Sequence, residues 1–196
     1  MAAAGVSDLA ARPARHANGS SVQTPRLRRV VLALAASLLV FSAATARLFI
    51  WPARGMPARV SAIVMLAGPG DRLQAALRLA REGRAPFLLV SRGNHGYGGP
   101  CPPPVPHVRL VCFAPTPAST RGEAEYAARL ARKYRWRSLT LVTSTGQDTR
   151  ARQRMKNCFS GRVYVVTVGL PWYDWPGQIA YEWAATIKMA AWQRAC

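Results

Sequence analysis

The sequence predicts an α/β fold, a three-layer sandwich with a mainly parallel sheet, preceded by one N-terminal transmembrane helix. Three observations carry that expectation. Five short, nearly continuous apolar runs, AIVMLAG (62–68), FLLVSRG (87–93), RLVCF (109–113), LTLVTS (139–144) and VYVVTVG (163–169), have the length and composition of strands buried on both faces. Helical patterns come between them, and alternation of this kind is how parallel sheets with helices on both sides read in sequence. Ahead of all five lies an apolar stretch, 30–51, long enough to cross a bilayer as a helix.

Residues 1–29 are polar, carry five Arg against one Asp and show no periodicity, which predicts a disordered basic tail. Residues 30–46, VVLALAASLLVFSAATA, contain no charge, and the apolar character resumes after Arg47 in LFIWP. A span over 30–51 requires Arg47 to snorkel toward the far interface, where Trp51 serves as an anchor. Five Arg precede this segment and three (Arg47, Arg54, Arg59) follow it closely, so the tail is expected on the cytoplasmic side and the rest outside. The rival reading is a cleaved signal peptide, since Ala44-Thr45-Ala46 fits the small-residue cleavage pattern and Arg28-Arg29 hints at a twin-arginine signal. Both readings export the domain, one leaving it single-pass in the cell membrane and the other secreting it. Residues 52–60 read as a linker and 61–196 as the α/β domain.

Within that domain each helix has its own face. Leu73, Ala76, Leu77 and Ala80 line one side of the first, Ala124, Ala127, Ala128 and Ala131 the second, and Ala151, Met155, Cys158 and Phe159 the third. A last stretch, 177–193, sets Ile179, Trp183 and Ile187 at four-residue spacing. Loop 92–108, RGNHGYGGPCPPPVPHV, is long and rich in Gly and Pro, the composition of a functional lid, carrying Tyr97, His95 and Cys101, or of a pinned surface excursion. All four cysteines follow the apolar segment. Cys101 and Cys112 flank the Pro-rich loop and form the favoured bridge, while Cys158 reads equally as a buried small apolar residue. No pair has C-x-x-C spacing and the three His are dispersed, so no metal site is expected.

The net charge of +19 invites nucleic acid as a partner, but 24 of the 27 basic residues are Arg, scattered over presumed solvent faces. No aromatic-interleaved platform or nucleic-acid motif accompanies them, so no nucleic-acid partner is expected.

Parallel α/β folds bind ligands at the carboxyl ends of their strands, and polar residues collect there. Gly68, Gly70, Asp71 and Arg72 follow the first strand, Ser91, Arg92 and Gly93 end the second, Ser119, Thr120 and Arg121 open the second helix, and Thr143 and Ser144, with Gln147 and Arg150, follow the fourth. Asp71-x-x-Gln74, Thr120-x-x-Glu123 and Ser144-x-x-Gln147 each match a capping box. A capping box does not call for Arg in the first helical turn, where the helix dipole disfavours positive charge. Arg72, Arg121 and Arg150 sit there nonetheless. Three helix N-termini, each with an Arg, would converge at one sheet edge and make an anion pocket.

The same residues carry a resemblance over about residues 60–194. AIVMLAGPGDRLQAALRLAREGRAPFLLVSRG, STRGEAEYAARLARKYRWRSLTLVTS and TSTGQDTRARQRMKNCF resemble, in order and spacing, the YdcF-like envelope family that includes the SanA and ElyC type proteins. The resemblance implies a Rossmann-like domain, often tethered by an N-terminal helix, associated with cell-envelope integrity and with peptidoglycan or lipid-carrier metabolism. It implies no cofactor and no settled reaction. Carried over by motif, the pocket is Gly68, Gly70, Arg72, Ser91, Gly93, Ser119, Thr120, Arg121, Glu123, Thr143, Ser144 and Arg150. Two positions depart from the family: Gln147 stands where members commonly have His, and Gly122 and Glu123 stand where the motif has Glu and Asn.

An enzyme of this kind needs a base or a nucleophile. Glu123 is the one acidic residue in its constellation and hence the candidate catalytic group, with Asp71 and Asp148 as alternative carboxylates at neighbouring helix starts. The hydroxyls of Ser91, Ser119 and Ser144 have no partner His in the motif, which gives no support to a Ser-His-Asp arrangement. The Gly-Pro-Gly-Asp turn lacks the spacing of a dinucleotide fingerprint. Two expectations follow. Either the domain is an exported hydrolase or transferase acting on a phosphorylated envelope precursor held by Arg72, Arg121 and Arg150, or it is a non-catalytic scaffold or sensor at the membrane.

Overall fold

The computed structural model describes residues 25–51, 55–93, 100–192 and 196. The chain forms two compact units, residues 1–39 and 40–196. Helix α1 (Pro25–Thr45) starts in the first and ends in the second. It begins ahead of the predicted residue 30, at a proline whose fixed φ suits a first helical turn. The rest of the predicted tail lies outside the described residues, as do residues 52–54 of the predicted linker and the lid candidates His95 and Tyr97. A π-helical turn, Ala46–Ile50, continues α1, and Pro25–Ile50 is the one helix among the described residues long and apolar enough to cross a membrane. Two of its hydroxyls bond back within the helix, Ser37 donating to the Ala33 carbonyl at 2.8 Å and Thr45 to that of Phe41 at 2.8 Å.

The second unit is built on five parallel strands, β1 (Ala62–Met65), β2 (Phe87–Ser91), β3 (Arg109–Phe113), β4 (Ser138–Ser144) and β5 (Arg162–Val168), in the order β3-β2-β1-β4-β5. Every strand falls inside or within a residue of an apolar run of the sequence. Because side chains alternate across a strand, each run serves two cores. Ala62 and Val64 of β1 join Leu139 and Leu141 of β4 under helices α3 (Thr120–Lys133) and α4 (Asp148–Cys158). Ile63 and Met65 join Leu88 and Val90 of β2 under helix α2 (Arg72–Arg81). The result is a Rossmann-like three-layer fold. It is wound outward from β1 to β3 and then back to β4, so the winding reverses between β1 and β4, the place where such sheets open a crevice.

The connection from β2 to β3 has no helix among its described residues. Val105 and Val108 of the Pro-rich loop fill the α2 side of the core instead, and a Cys101–Cys112 disulfide, with Cα atoms 5.9 Å apart, fixes the loop to β3. Cys158 is not a free core residue: it is bonded to Cys196, with Cα atoms 4.8 Å apart.

Helix α5 (Trp175–Trp192) departs most from expectation. Ile179, Trp183 and Ile187 share one side by their four-residue spacing, yet that side is not a core stripe: Ile187 is exposed and the buried residues of the helix are Glu182 and Met189. Trp183 packs against the end of α1, stacked on Phe41 with ring centroids 5.3 Å apart and edge-on to Phe49 at 5.4 Å, while its indole N–H donates to Thr45 Oγ1 at 3.1 Å.

Candidate functional site

A cavity of about 420 Å³ opens at the carboxyl ends of β1 and β4, where the winding reverses. Four segments supply most of its wall, the loop after β1, the loop into and start of α3, the turn between β4 and α4, and one face of α5, and Gly93 after β2 completes it.

The loop after β1 is held by Arg72. The first turn of α2 puts this guanidinium back under the loop it follows, where Nε donates to the Pro69 carbonyl at 2.9 Å and Nη1 to those of Leu66 (3.2 Å) and Ala67 (2.7 Å). Nη2 donates to Ser144 Oγ at 3.0 Å, tying the ends of β1 and β4 together. Gly68 has φ +145°, and a Cβ there would lie 2.5 Å from Arg72 Nη2, so glycine is what lets the loop close over the guanidinium. Arg72 is 2 % exposed, and burial lowers its pKa to about 10, with the charge of Glu123 acting in the opposite direction. It remains a cation at neutral pH.

At the start of α3 the N-cap is Ser119 and not the Thr120 of the predicted box: Ser119 has extended backbone and its Oγ accepts from the Gly122 N–H at 3.5 Å, while Thr120 is already the first helical residue. Gly122 has no room for a side chain: a Cβ would sit 2.0 Å from the Pro117 carbonyl oxygen. The helix thus packs backbone to backbone on the loop before it, and the carboxylate of this turn is carried by Glu123. That group is 3 % exposed and its Oε1 accepts from the Ala67 N–H at 2.7 Å. Burial pushes its pKa above the ordinary 4.5, opposed by the neighbouring Ser91 hydroxyl, the Ala67 N–H and the charges of Arg72 and Arg150.

The junction after β4 is not the capping box that its sequence predicts. A 3-10 turn, Thr145–Gln147, precedes α4, and Ser144 makes no cap because its Oγ is bound to Arg72. Gln147 turns inward. Its Oε1 accepts from the Thr143 hydroxyl at 2.9 Å and its Nε2 donates to Thr120 Oγ1 at 3.0 Å. Arg150 Nη1 also donates to Thr120 Oγ1, at 2.9 Å. A hydroxyl has two acceptor sites and one donor. With both acceptor sites of Thr120 taken, the hydroxyl on the cavity wall has only its proton left to offer a ligand. At the first turn of α2, Asp71 likewise makes no side-chain cap.

The fourth wall comes from α5. Glu182, 0 % exposed, receives Arg150 bidentately, from Nε at 2.7 Å and Nη2 at 2.9 Å, and accepts a third bond from Gln178 Nε2 at 2.8 Å. The ring of Tyr181 lies 5.4 Å from the Arg150 guanidinium. Burial alone would lower the Arg150 pKa, but the hydrogen bonds and charge of Glu182 outweigh it and raise it.

Of the residues singled out in the sequence, Gly68, Arg72, Gly93, Ser119, Thr120, Glu123, Gln147 and Arg150 line the cavity. Ser91, Thr143 and Ser144 are buried, the last two bonded to wall residues. Gly70 faces Val168 and Gly169. Arg121 points away, half-exposed, paired with Glu125 at 2.7 Å one turn along the helix. The α5 residues Gln178, Tyr181 and Glu182 have no place in the strand-end pattern; the available signal is a lone acidic residue, one turn after a Gln, in a mostly apolar helix.

The raised pKa of Glu123 has a measurable consequence. Between 4.5 and its folded-state value the fold holds a proton that the unfolded chain has released, so this group's contribution to stability is present below 4.5 and is lost as pH rises. Glu123→Gln keeps the shape and the acceptor for Ala67. It is expected to melt above the wild type at about pH 8 and to lose that advantage near pH 4. A melting-temperature difference that does not change across this range would show that the carboxyl is not strained by its burial.

Comparison with protein-family models, curated proteins and solved structures yields no match to this chain.

Proposed function

We propose that this chain is a membrane-tethered, extracytoplasmic domain of the YdcF-like type that takes an anionic, phosphate-bearing ligand, of the kind presented by cell-envelope precursors, into the cavity between β1 and β4. The observation that carries the reading is the charge on the cavity wall. Two buried guanidiniums, Arg72 and Arg150, face one carboxylate already committed to an ion pair, Glu182, and a second, Glu123, that burial drives toward its neutral form. Because burial biases Glu123 toward its neutral form, the balance of the wall leans toward positive charge, and the Thr120 hydroxyl and the start of α3 supply donors beside it. The two disulfides fit an oxidising compartment, and the arginine excess ahead of the uncharged run that starts at residue 30 fits export of the domain.

Glu123 is the group placed to accept or donate a proton if the ligand is turned over. One observation favours the alternative of a non-catalytic scaffold or sensor: the position where the family commonly has His carries Gln147, whose amide is held at both ends by Thr143 and Thr120 and cannot relay a proton near neutral pH.

The test is calorimetric titration of the full chain, solubilised in detergent, with inorganic pyrophosphate. Saturable binding is expected, weakened about tenfold or more by Thr120→Val and unaffected by Arg121→Ala, since Arg121 lies outside the cavity. Absence of saturable binding, or equal sensitivity to the two substitutions, would overturn the anion reading in favour of the scaffold.

A further inference from the structure

Helix α5 is inside out for a helix on a water-soluble domain. Its inward face carries the buried carboxylate of Glu182, while Ala180, Tyr181, Ala184, Ile187, Ala191 and Trp192 form a solvent-facing stripe at three- and four-residue spacing. Ile187 is 57 % exposed and Trp192 77 %. The 3-10 turn Trp172–Asp174 just before the helix adds Trp172, 83 % exposed, and the exposed ring of Tyr173. Lys188 is the one charged residue along the stripe. Scattered exposed apolar side chains are ordinary on a protein surface, but a contiguous set rich in Trp and Tyr marks a surface with a partner.

We infer that this face of α5 lies on the lipid bilayer, at the level of the headgroups. Two observations select lipid over a protein partner. The residue types are those of a membrane interface, where the amphipathic rings of Trp and Tyr sit between hydrocarbon and water, and Lys188 and the exposed Arg47 match anionic headgroups. Independently, α5 is fastened through Trp183 to Phe41, Thr45 and Phe49, the last turns of the only membrane-length apolar helix among the described residues. Where that helix end meets the membrane surface, α5 meets it as well. Tyr181 belongs both to the exposed stripe and to the cavity wall, so the mouth of the cavity opens at the headgroup layer and a ligand reaches it from the membrane surface.

The inference rests on the tethered reading, and the experiment separates the two. The full chain is reconstituted into phosphatidylcholine–phosphatidylglycerol vesicles whose acyl chains carry bromine, which quenches nearby indoles. Three of its tryptophans are strongly exposed, Trp51, Trp172 and Trp192. The double variant Trp172→Phe/Trp192→Phe, which leaves the core untouched, is expected to reduce the bromolipid-quenchable emission about threefold, since two of the three interfacial indoles are gone. Ile187→Glu, with all tryptophans present, is expected to reduce it by lifting the stripe off the bilayer. Flotation with the vesicles but unchanged quenching in both variants would overturn this inference alone and assign the stripe to a protein partner or a second copy of the chain. Failure of the chain to float would overturn the tether and this inference together.

Discussion

Arg150→Ala is expected to destabilise the domain by about 3–5 kcal/mol, because it leaves the Glu182 carboxylate buried and without its bidentate partner. For a chain of this size that is a fall in Tm of roughly 6–20 °C. The same substitution removes one of two donors from Thr120 and loosens the contact between α4 and α5, so the cavity loses shape as well as charge. Glu182→Leu is expected to be nearly as damaging, since it strands the guanidinium. The double variant Arg150→Met/Glu182→Leu should recover most of the loss, because a well-packed apolar pair can replace a buried ion pair at little cost. Thermal denaturation of the wild type, Arg150→Met, Glu182→Leu and the double variant forms a double-mutant cycle. Single-variant losses that simply add in the double variant would show that the pair is not a unit.

Gly122→Ala is expected to destabilise by about 1–3 kcal/mol or more, against the usual sign for glycine replacement inside a helix. Helix propensity alone favours alanine by about 1 kcal/mol. Here the new methyl would meet the Pro117 carbonyl oxygen at 2.0 Å and the Thr116 carbonyl carbon at 2.8 Å, backbone atoms that give way only if the whole loop moves. Since Ser119 and Thr120 follow that loop directly, the displacement is expected to weaken ligand binding too. Gly177→Ala is the control: it lies in α5 with nothing within 4 Å of the added methyl, and a stabilisation of up to about 1 kcal/mol is expected. Chemical denaturation of both variants checks the prediction. Parallel shifts would refute the close approach of loop and helix.

Four residues of the cavity wall show where sequence reading reached the site and where it stopped. Thr120, Glu123, Gln147 and Arg150 were legible because strand ends and helix starts mark themselves in sequence by cap residues and by the switch from apolar runs to helical periodicity. Their roles were not legible. The pattern Ser144-x-x-Gln147 is a good capping box, yet Arg72 competes for Ser144 and Thr143 and Thr120 compete for Gln147, and the Arg72 and Thr120 bonds come from segments 72 and 27 residues away in the chain. Likewise, Arg72, Arg121 and Arg150 hold equivalent first-turn positions. The first is turned onto carbonyls, the second onto Glu125, the third onto Glu182, a choice set by what each helix packs against.

The α5 wall stayed hidden for a related reason. Apolar spacing at four residues fits a core stripe, an α1 contact and a lipid-facing surface equally well, because periodicity reports which residues share a face and not what covers that face.

By itself, the sequence determined the α/β class, all five strands to within three residues at their ends, the faces of α2, α3 and α4, and an N-terminal helix of membrane length. These follow from local chemistry, the alternation of apolar and polar groups and the conformational limits of the residues between them. Only the tertiary structure decided the ion pair of Arg150 with Glu182, the inward turn of Gln147, the exclusion of Arg121 from the cavity and the outward apolar face of α5. Each is a partnership between segments far apart in the chain, selected because a buried charge or amide must find its complement wherever the packed elements bring one.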